Sequence, residues 1–242
     1  ILPITDPSRP TTQKNAIISG GYRLLKIDTL DNRPITDDIL EKLIEKVKQT
    51  SADAVVFSDF RHGISNRMSV KSLTQAIPQG AFQVADSQVA SRWGNITEFK
   101  GFDLITPNER EARFALGDQD STLGRLASML NEAADYQNLI LKLGDRGIFC
   151  VNQNTDIKNS YFSIDSFASN VVDAVGAGDA LLAYATLTML ATGSLVTAGI
   201  LGSMAAACEC EHDGNIPIRP ENLLAKIDAV EKMTDYKTST IV

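Results

Sequence analysis

The stretch Asp173-Ala174-Val175-Gly176-Ala177-Gly178-Asp179 sets two acids around a glycine-rich turn. It leads into a run of small and apolar residues, 180–191, that reads as a buried helix. Gly176, Ala177 and Gly178 carry little or no side chain, so their backbone N–H groups can approach an anion closely. The positive end of the helix dipole adds to that attraction. Asp179 falls in the first helical turn, where the dipole favours a carboxylate but a bound phosphate repels it. Such a group suits proton abstraction from a hydroxyl that attacks the phosphate.

Several other polar groups follow apolar runs. Ala54-Val55-Val56-Phe57 reads as a central parallel strand, and the polar Ser58-Asp59-Phe60-Arg61-His62-Gly63 follows it. The carboxyl ends of parallel strands are where open α/β sheets place ligands. Leu104-Ile105-Thr106 runs into Pro107 and Asn108, a strand stop followed by a helix cap, with Glu109 and Glu111 in the first turn. Leu139-Ile140-Leu141 ends in Lys142-Leu143-Gly144-Asp145-Arg146-Gly147, where the lysine supplies a point charge. Asp213-Gly214-Asn215 has the chemistry of a turn.

The elements that must position these groups alternate helix and buried strand. Helices are expected from Thr36-Asp37-Asp38 onward and over 66–76, 123–134, 180–191, 197–208 and 220–233, with a further strand over 82–85. Residues 16–19 and 22–28, joined by Gly20-Gly21, read as a β-hairpin. Its apolar Ile17, Ile18, Leu24, Leu25 and Ile27 would give it one covered face. Trp93 reads as packing. The expected fold is a three-layer α/β/α sandwich with a mostly parallel sheet, one domain over 1–242 with the small hairpin at 16–28.

Composition narrows the partners. The chain has 242 residues, 43% of them hydrophobic, enough for one sizeable core. A formal net charge of −7 argues against nucleic acid or an anionic membrane. No apolar run approaches the ~20 residues that span a bilayer, and a cytoplasmic protein is expected. Three cysteines, Cys150, Cys208 and Cys210, are too few for a disulfide framework. The Cys208, Cys210, His212 alternation lacks the spacing of zinc pairs and reads as buried thiols.

Residues 173–179 resemble the Asp-Thr-x-Gly-Ala-Gly-Asp signature of the ribokinase family, the PfkB carbohydrate kinases, with Ala174 the one departure. The resemblance implies ATP-dependent phosphorylation of a sugar or sugar phosphate. Asp179 would be the base and the Gly176, Ala177 and Gly178 backbone would stabilise the transferred phosphoryl. It places Asp173, Asn108, Lys142, Gly144 and Gly147 with the nucleotide. Glu111 would hold Mg2+ through water. Asp213 and Gly214 would lie in a loop that closes over adenine and helps bind a monovalent cation such as K+. The lysine of the family's Asp-Pro-Lys is replaced by Gln88 in Asp86-Ser87-Gln88, and Lys142, in place of a threonine, would offset the lost charge.

Thr11-Thr12-Gln13-Lys14 and 58–63 are similar to elements of the heptose-phosphate kinase branch, which puts Lys14 and Asp59 near the sugar. The resemblance also implies that the hairpin is part of a lid or dimerisation sheet, and so a homodimer. The family's opening segment has no counterpart before Ile1. The expectation is a fragment of a longer chain, or a domain that holds its substrate differently, with a sheet edge left exposed. A nucleoside or vitamin-precursor kinase of the same superfamily, or a kinase-like domain that binds without turnover, are the alternatives.

Overall fold

The computed structural model describes residues 1–20, 22–88, 96–153 and 161–238, without the side chains of Arg23 and of 234–238; Trp93 lies outside the described residues. The main sheet has six strands in the order β3 (Ala54–Asp59), β4 (Phe82–Ser87), β5 (Leu104–Ile105), β6 (Asn138–Lys142), β7 (Ile148–Asn152) and β8 (Tyr161–Ile164). β3 to β6 run parallel, and β7 and β8 add antiparallel to the β6 side. The sheet is therefore mixed, with a parallel half that carries the polar strand ends.

Alternation along these strands divides the core between two faces. Ala85, Ile105, Leu139 and Leu141 pack on one side with residues of α2 (Arg67–Ala76), α3 (Glu109–Leu116) and α4 (Leu123–Ala134). Val84, Leu104, Ile140 and Ile148 pack on the other with α5 (Ala177–Thr192) and α6 (Leu195–Cys210). Helices on both faces make the expected α/β/α sandwich. α1 (Asp37–Gln49) precedes β3, and α7 (Pro220–Thr238) packs on α6 through Leu223.

α5 and α6 lie close because their contact residues are small. A Cβ on Gly202 would sit 3.1 Å from the Leu181 carbonyl oxygen, so the second helix approaches the backbone of the first. α5 begins at Ala177, three residues before the expected start, with Gly176 as its N-cap at φ +90°. The glycine turn is thus the helix N-terminus itself. Asp179 is its third residue.

Two expectations fail. The run 54–57 reads as a central strand, yet β3 stands at the sheet edge, pairing only with β4 among the described residues, and Val56 is 43% exposed. Apolar content follows burial by helices on the faces and says nothing about neighbours within the sheet. The hairpin forms as expected, β1 (Gln13–Ser19) antiparallel to β2 (Tyr22–Thr29), but as a separate two-stranded sheet. Its apolar face is not covered. Ile17, Ile18, Leu24, Leu25 and Ile27 are all exposed, Leu24 at 65%, because the hairpin stands off the sandwich and nothing among the described residues packs over it.

Candidate active site

The carboxyl ends of the parallel strands converge on the N-terminus of α5, as open α/β sheets require. At its centre is an ion pair. Lys142, the last residue of β6, places Nζ 2.8 Å from Asp86 Oδ1 at the end of β4, and Thr106 Oγ1 donates to the same oxygen at 3.2 Å. A Cβ built on Gly178 would lie 3.3 Å from Lys142 Nζ, so the ammonium rests against the glycine turn. The lysine thus sits where an anion held by the 176–178 amides would meet it. Asp86 was overlooked as a site residue; its place in the Asp86-Ser87-Gln88 triplet was the available signal.

Glu111 belongs to the same cluster. Asn108 Oδ1 accepts from the Glu111 N–H at 2.8 Å and Glu111 Oε2 accepts from the Asn108 N–H at 2.7 Å, a reciprocal capping box that starts α3. Glu111 is buried, and burial raises its pKa above the ordinary glutamate value, with Lys142 opposing and Asp86 reinforcing the shift. A cation placed beside it would favour the ionised form and lower that pKa again. The Glu111 oxygens are hard donors that suit Mg2+, which needs few carboxylates because it keeps its waters.

On one side of the turn lies a cavity of about 270 Å³. Lys142, Gly144, Ala177 and Gly178 line it at the anion end. Ile148, Val171, Leu181, Ala206 and Ala207 form apolar walls, with Ala174 and Gly147 also lining it. It fits a flat apolar group with an anionic tail. Asp213 and Gly214, expected to close over that group, do not line the cavity. The wall is the face of α6, Ser203 to Cys210, whose Ala-rich composition signals packing and gives no hint of a ligand. Asn108 faces the neighbouring groove with Glu109 and Gly144. Asp173 Oδ1 accepts from the Val175 N–H at 3.2 Å and so shapes the turn.

Asp179 lies exposed at the helix start, and Ser58 Oγ at the end of β3 donates to its Oδ1 at 3.4 Å. Lys14 Nζ stands 5.3 Å from the Phe60 ring centroid, which brings β1 to the 58–63 loop. Asp59, expected near the sugar, is engaged within the protein and lines a groove with Ser58, Phe60 and His62. It is 6% exposed: Oδ2 is 2.8 Å from Arg61 Nη1 and accepts from Ser87 Oγ at 2.9 Å, and Oδ1 accepts from the Arg61 N–H at 2.9 Å. Arg61 is also buried, has φ +59°, and reaches Glu98 at 3.3 Å. Asp59 therefore holds a strained loop in shape, and the exposed Ser58 is the strand residue that meets Asp179.

Cys150 and Cys208 are buried packing groups and Cys210 is half-buried at the cavity wall, with the Cys150 thiol pushed up to about 12 by burial. His212 Nδ1 is hydrogen-bonded to the Cys208 carbonyl oxygen at 2.7 Å. Among the described residues no helix is long and apolar enough to cross a membrane.

The profile of the pfkB family carbohydrate kinases matches residues 4–222. The chain belongs to that family. It is 24% identical over 239 residues to the bifunctional protein HldE of Trichlorobacter lovleyi, an alignment that covers 96% of this chain and 47% of that protein. The chain spans about half the length of the curated relatives it matches. Arabidopsis thaliana ribokinase, solved with ribose and ATP, is similar in fold with TM-score 0.66 at 18% identity, over 90% of this chain and 70% of that one. Escherichia coli phosphofructokinase-2 in complex with potassium gives 0.69 at 14%, over 86% and 67%. These likenesses agree with the α/β sandwich.

One titration follows from the cluster. Because the fold favours protonated Glu111, that residue supports stability at low pH, and the support is lost as pH rises through its raised pKa. Glu111→Gln, which keeps an acceptor for the Asn108 N–H, is expected to gain stability relative to the wild type between acid and neutral pH. Paired denaturant melts at both pH values check it; a constant difference would contradict the shift.

Proposed function

We propose that this chain transfers the γ-phosphoryl of ATP to a sugar or sugar-phosphate hydroxyl. The observation that carries the reading is the division of space about the α5 N-terminus. An apolar cavity with Lys142 at its anionic end lies on one side, and exposed Asp179 beside Ser58 on the other. Adenine fits the cavity, its phosphates lead to Lys142 and the Ala177 and Gly178 backbone, and the γ-phosphoryl comes to the turn. An acceptor hydroxyl on the Ser58 side then meets Asp179, which takes its proton as the oxygen attacks phosphorus.

The amides of 176–178 face the charge that develops on the phosphoryl, already oriented before reaction. Mg2+, held through water by Glu111, would neutralise phosphate charge. Lys142 takes over the positive charge that Gln88 does not supply, and Asp86 fixes its direction. A monovalent cation near the start of α5 belongs to the same proposal, in line with the potassium in the phosphofructokinase-2 complex. The elements at 11–14 and 58–63, with Lys14 against Phe60, favour a heptose phosphate as acceptor, since the lysine offers a partner to a phosphate.

The hairpin supports a further part of the proposal. A two-stranded hairpin is marginal by itself, and this one exposes five apolar side chains. A second copy of the chain is the proposed cover, making the homodimer.

ATP consumption is to be measured with a panel of sugars and sugar phosphates, heptose 7-phosphate included. Asp179→Asn is expected to reduce turnover about a hundred- to ten-thousandfold while ATP binding is kept; equal turnover would remove Asp179 as the base. If the wild type binds ATP and phosphorylates nothing, the chain is a binding domain. Lys142→Ala is expected to weaken ATP binding at least about tenfold by calorimetry, and unchanged affinity would take the lysine out of the phosphate site. Sedimentation equilibrium should show a dimer that Ile18→Lys with Leu24→Lys converts to monomer; a monomeric wild type would end that part of the reading.

A further inference from the structure

Arg67, Lys71 and Lys100 carry three positive charges that neither the fold nor the site at the α5 turn uses. Arg67 opens α2, Lys71 follows one turn later on the same side of the helix, and Lys100 comes two residues after the short turn Ile96–Glu98. All three are exposed. None takes part in a hydrogen bond or an ion pair among the described residues. Helix stability does not account for the pair on α2: a cation at the start of a helix stands at its positive pole, the first turn holds no acid, and like charges four residues apart repel. In a chain of net charge −7 such a cluster calls for an anion.

The three cations line one groove of about 760 Å³. α2 supplies Arg67, Lys71 and Gln75 to it, residues 97–100 supply Glu98 and Lys100, and Ala133 comes from the last turn of α4. Glu98 is the one acid among the described residues that line it, and that carboxylate is already engaged with Arg61 Nη1 at 3.3 Å. The groove belongs to the face of the sheet that carries α2, α3 and α4, whereas the turn at 176–178 lies on the face of α5 and α6. An anion here is therefore distinct from one held at the turn. From Arg67 to Gln75 the α2 wall runs ~12 Å at the rise of a helix, which exceeds the size of one phosphate. A phosphate monoester carries about −1.5 to −2, so two such groups balance the three cations. The Arg67 guanidinium can grip one of them with two donors, and the two ammonium groups act as point charges.

We propose that the groove between α2 and residues 97–100 binds a small molecule bearing two or more phosphate groups. A polyanionic polymer fits less well, because the chain as a whole is acidic and such a partner needs an extended basic face. Through Glu98 the site reaches the loop at 58–63. A bound anion takes up the cations that compete with Arg61 for the Glu98 carboxylate, and so strengthens the pair that holds Arg61 and Asp59 in place. That consequence for the acceptor side rests on the kinase reading; the binding does not.

Equilibrium dialysis of the whole chain with radiolabelled inorganic pyrophosphate, at fixed ionic strength, is to be paired with acetic anhydride labelling read by mass spectrometry. Pyrophosphate is expected to shield Lys71 and Lys100 from acetylation, while the exposed Lys42 on α1 reacts as before. Lys71→Gln with Lys100→Gln is expected to bind one equivalent of pyrophosphate at least about tenfold more weakly than the wild type. Both lysines are exposed, so the substitutions leave the core untouched. Pyrophosphate that leaves both lysines as reactive as in its absence overturns the proposal, including the case in which it binds at the 176–178 turn alone. A double variant whose binding isotherm equals that of the wild type overturns it as well. None of these readouts uses turnover, so a failed anion groove and a failed kinase reading remain distinguishable.

Discussion

Lys142 at the end of β6 is held between the Asp86 carboxylate and the backbone of the turn that starts α5, and the site's geometry depends on that contact. The ion pair joins two strand ends, and the ammonium limits how near the helix can come. A buried pair of this kind adds little to net stability, because taking both charges out of water offsets most of their attraction. Its effect is positional. It fixes a lysine beside the 176–178 amides and an aspartate near Glu111, whose pKa is raised chiefly by burial, with Lys142 opposing and Asp86 adding to the shift.

The surrounding polar groups divide by the same logic. Asp59, Arg61 and Glu98 hold a loop, and the capping box of Asn108 and Glu111 engages one glutamate oxygen, whereas Asp179 remains exposed. An acid used for shape is buried and saturated. One that moves protons must stay open to the acceptor. On the proposed reading the exposed Ser58, hydrogen-bonded to Asp179, would lie on the acceptor side, with Asp59 behind it.

The sandwich is legible because helix caps, turn glycines and apolar runs are local signals, and the turn at 173–179 carries the glycines and acids on which the proposed anion site and base rest. What escaped depended on tertiary placement. The edge position of β3 has no mark in 54–57, since an apolar run does not report which neighbours a strand has within the sheet. β7 and β8 were overlooked as short runs beyond the phosphate loop, and the α6 wall of the cavity consists of alanines that carry no chemical sign. The Asp59–Arg61 pair has no mark in the sequence, because a carboxylate after a strand looks the same whether it faces a ligand or an arginine two residues later.

The open edge of β3 has a colloidal consequence. Its outer backbone donors and acceptors, unpaired with any other strand among the described residues and next to Val56, form a template that any extended chain can join, including another molecule's. The net charge of −7 opposes that encounter through mutual repulsion over a distance set by salt, about 8 Å at physiological ionic strength. Screening shortens the reach of the repulsion and leaves the edge as it was. Solutions of this chain should therefore tolerate concentration best at low salt and above its isoelectric point near 4.9, and turn cloudy first where either protection is withdrawn.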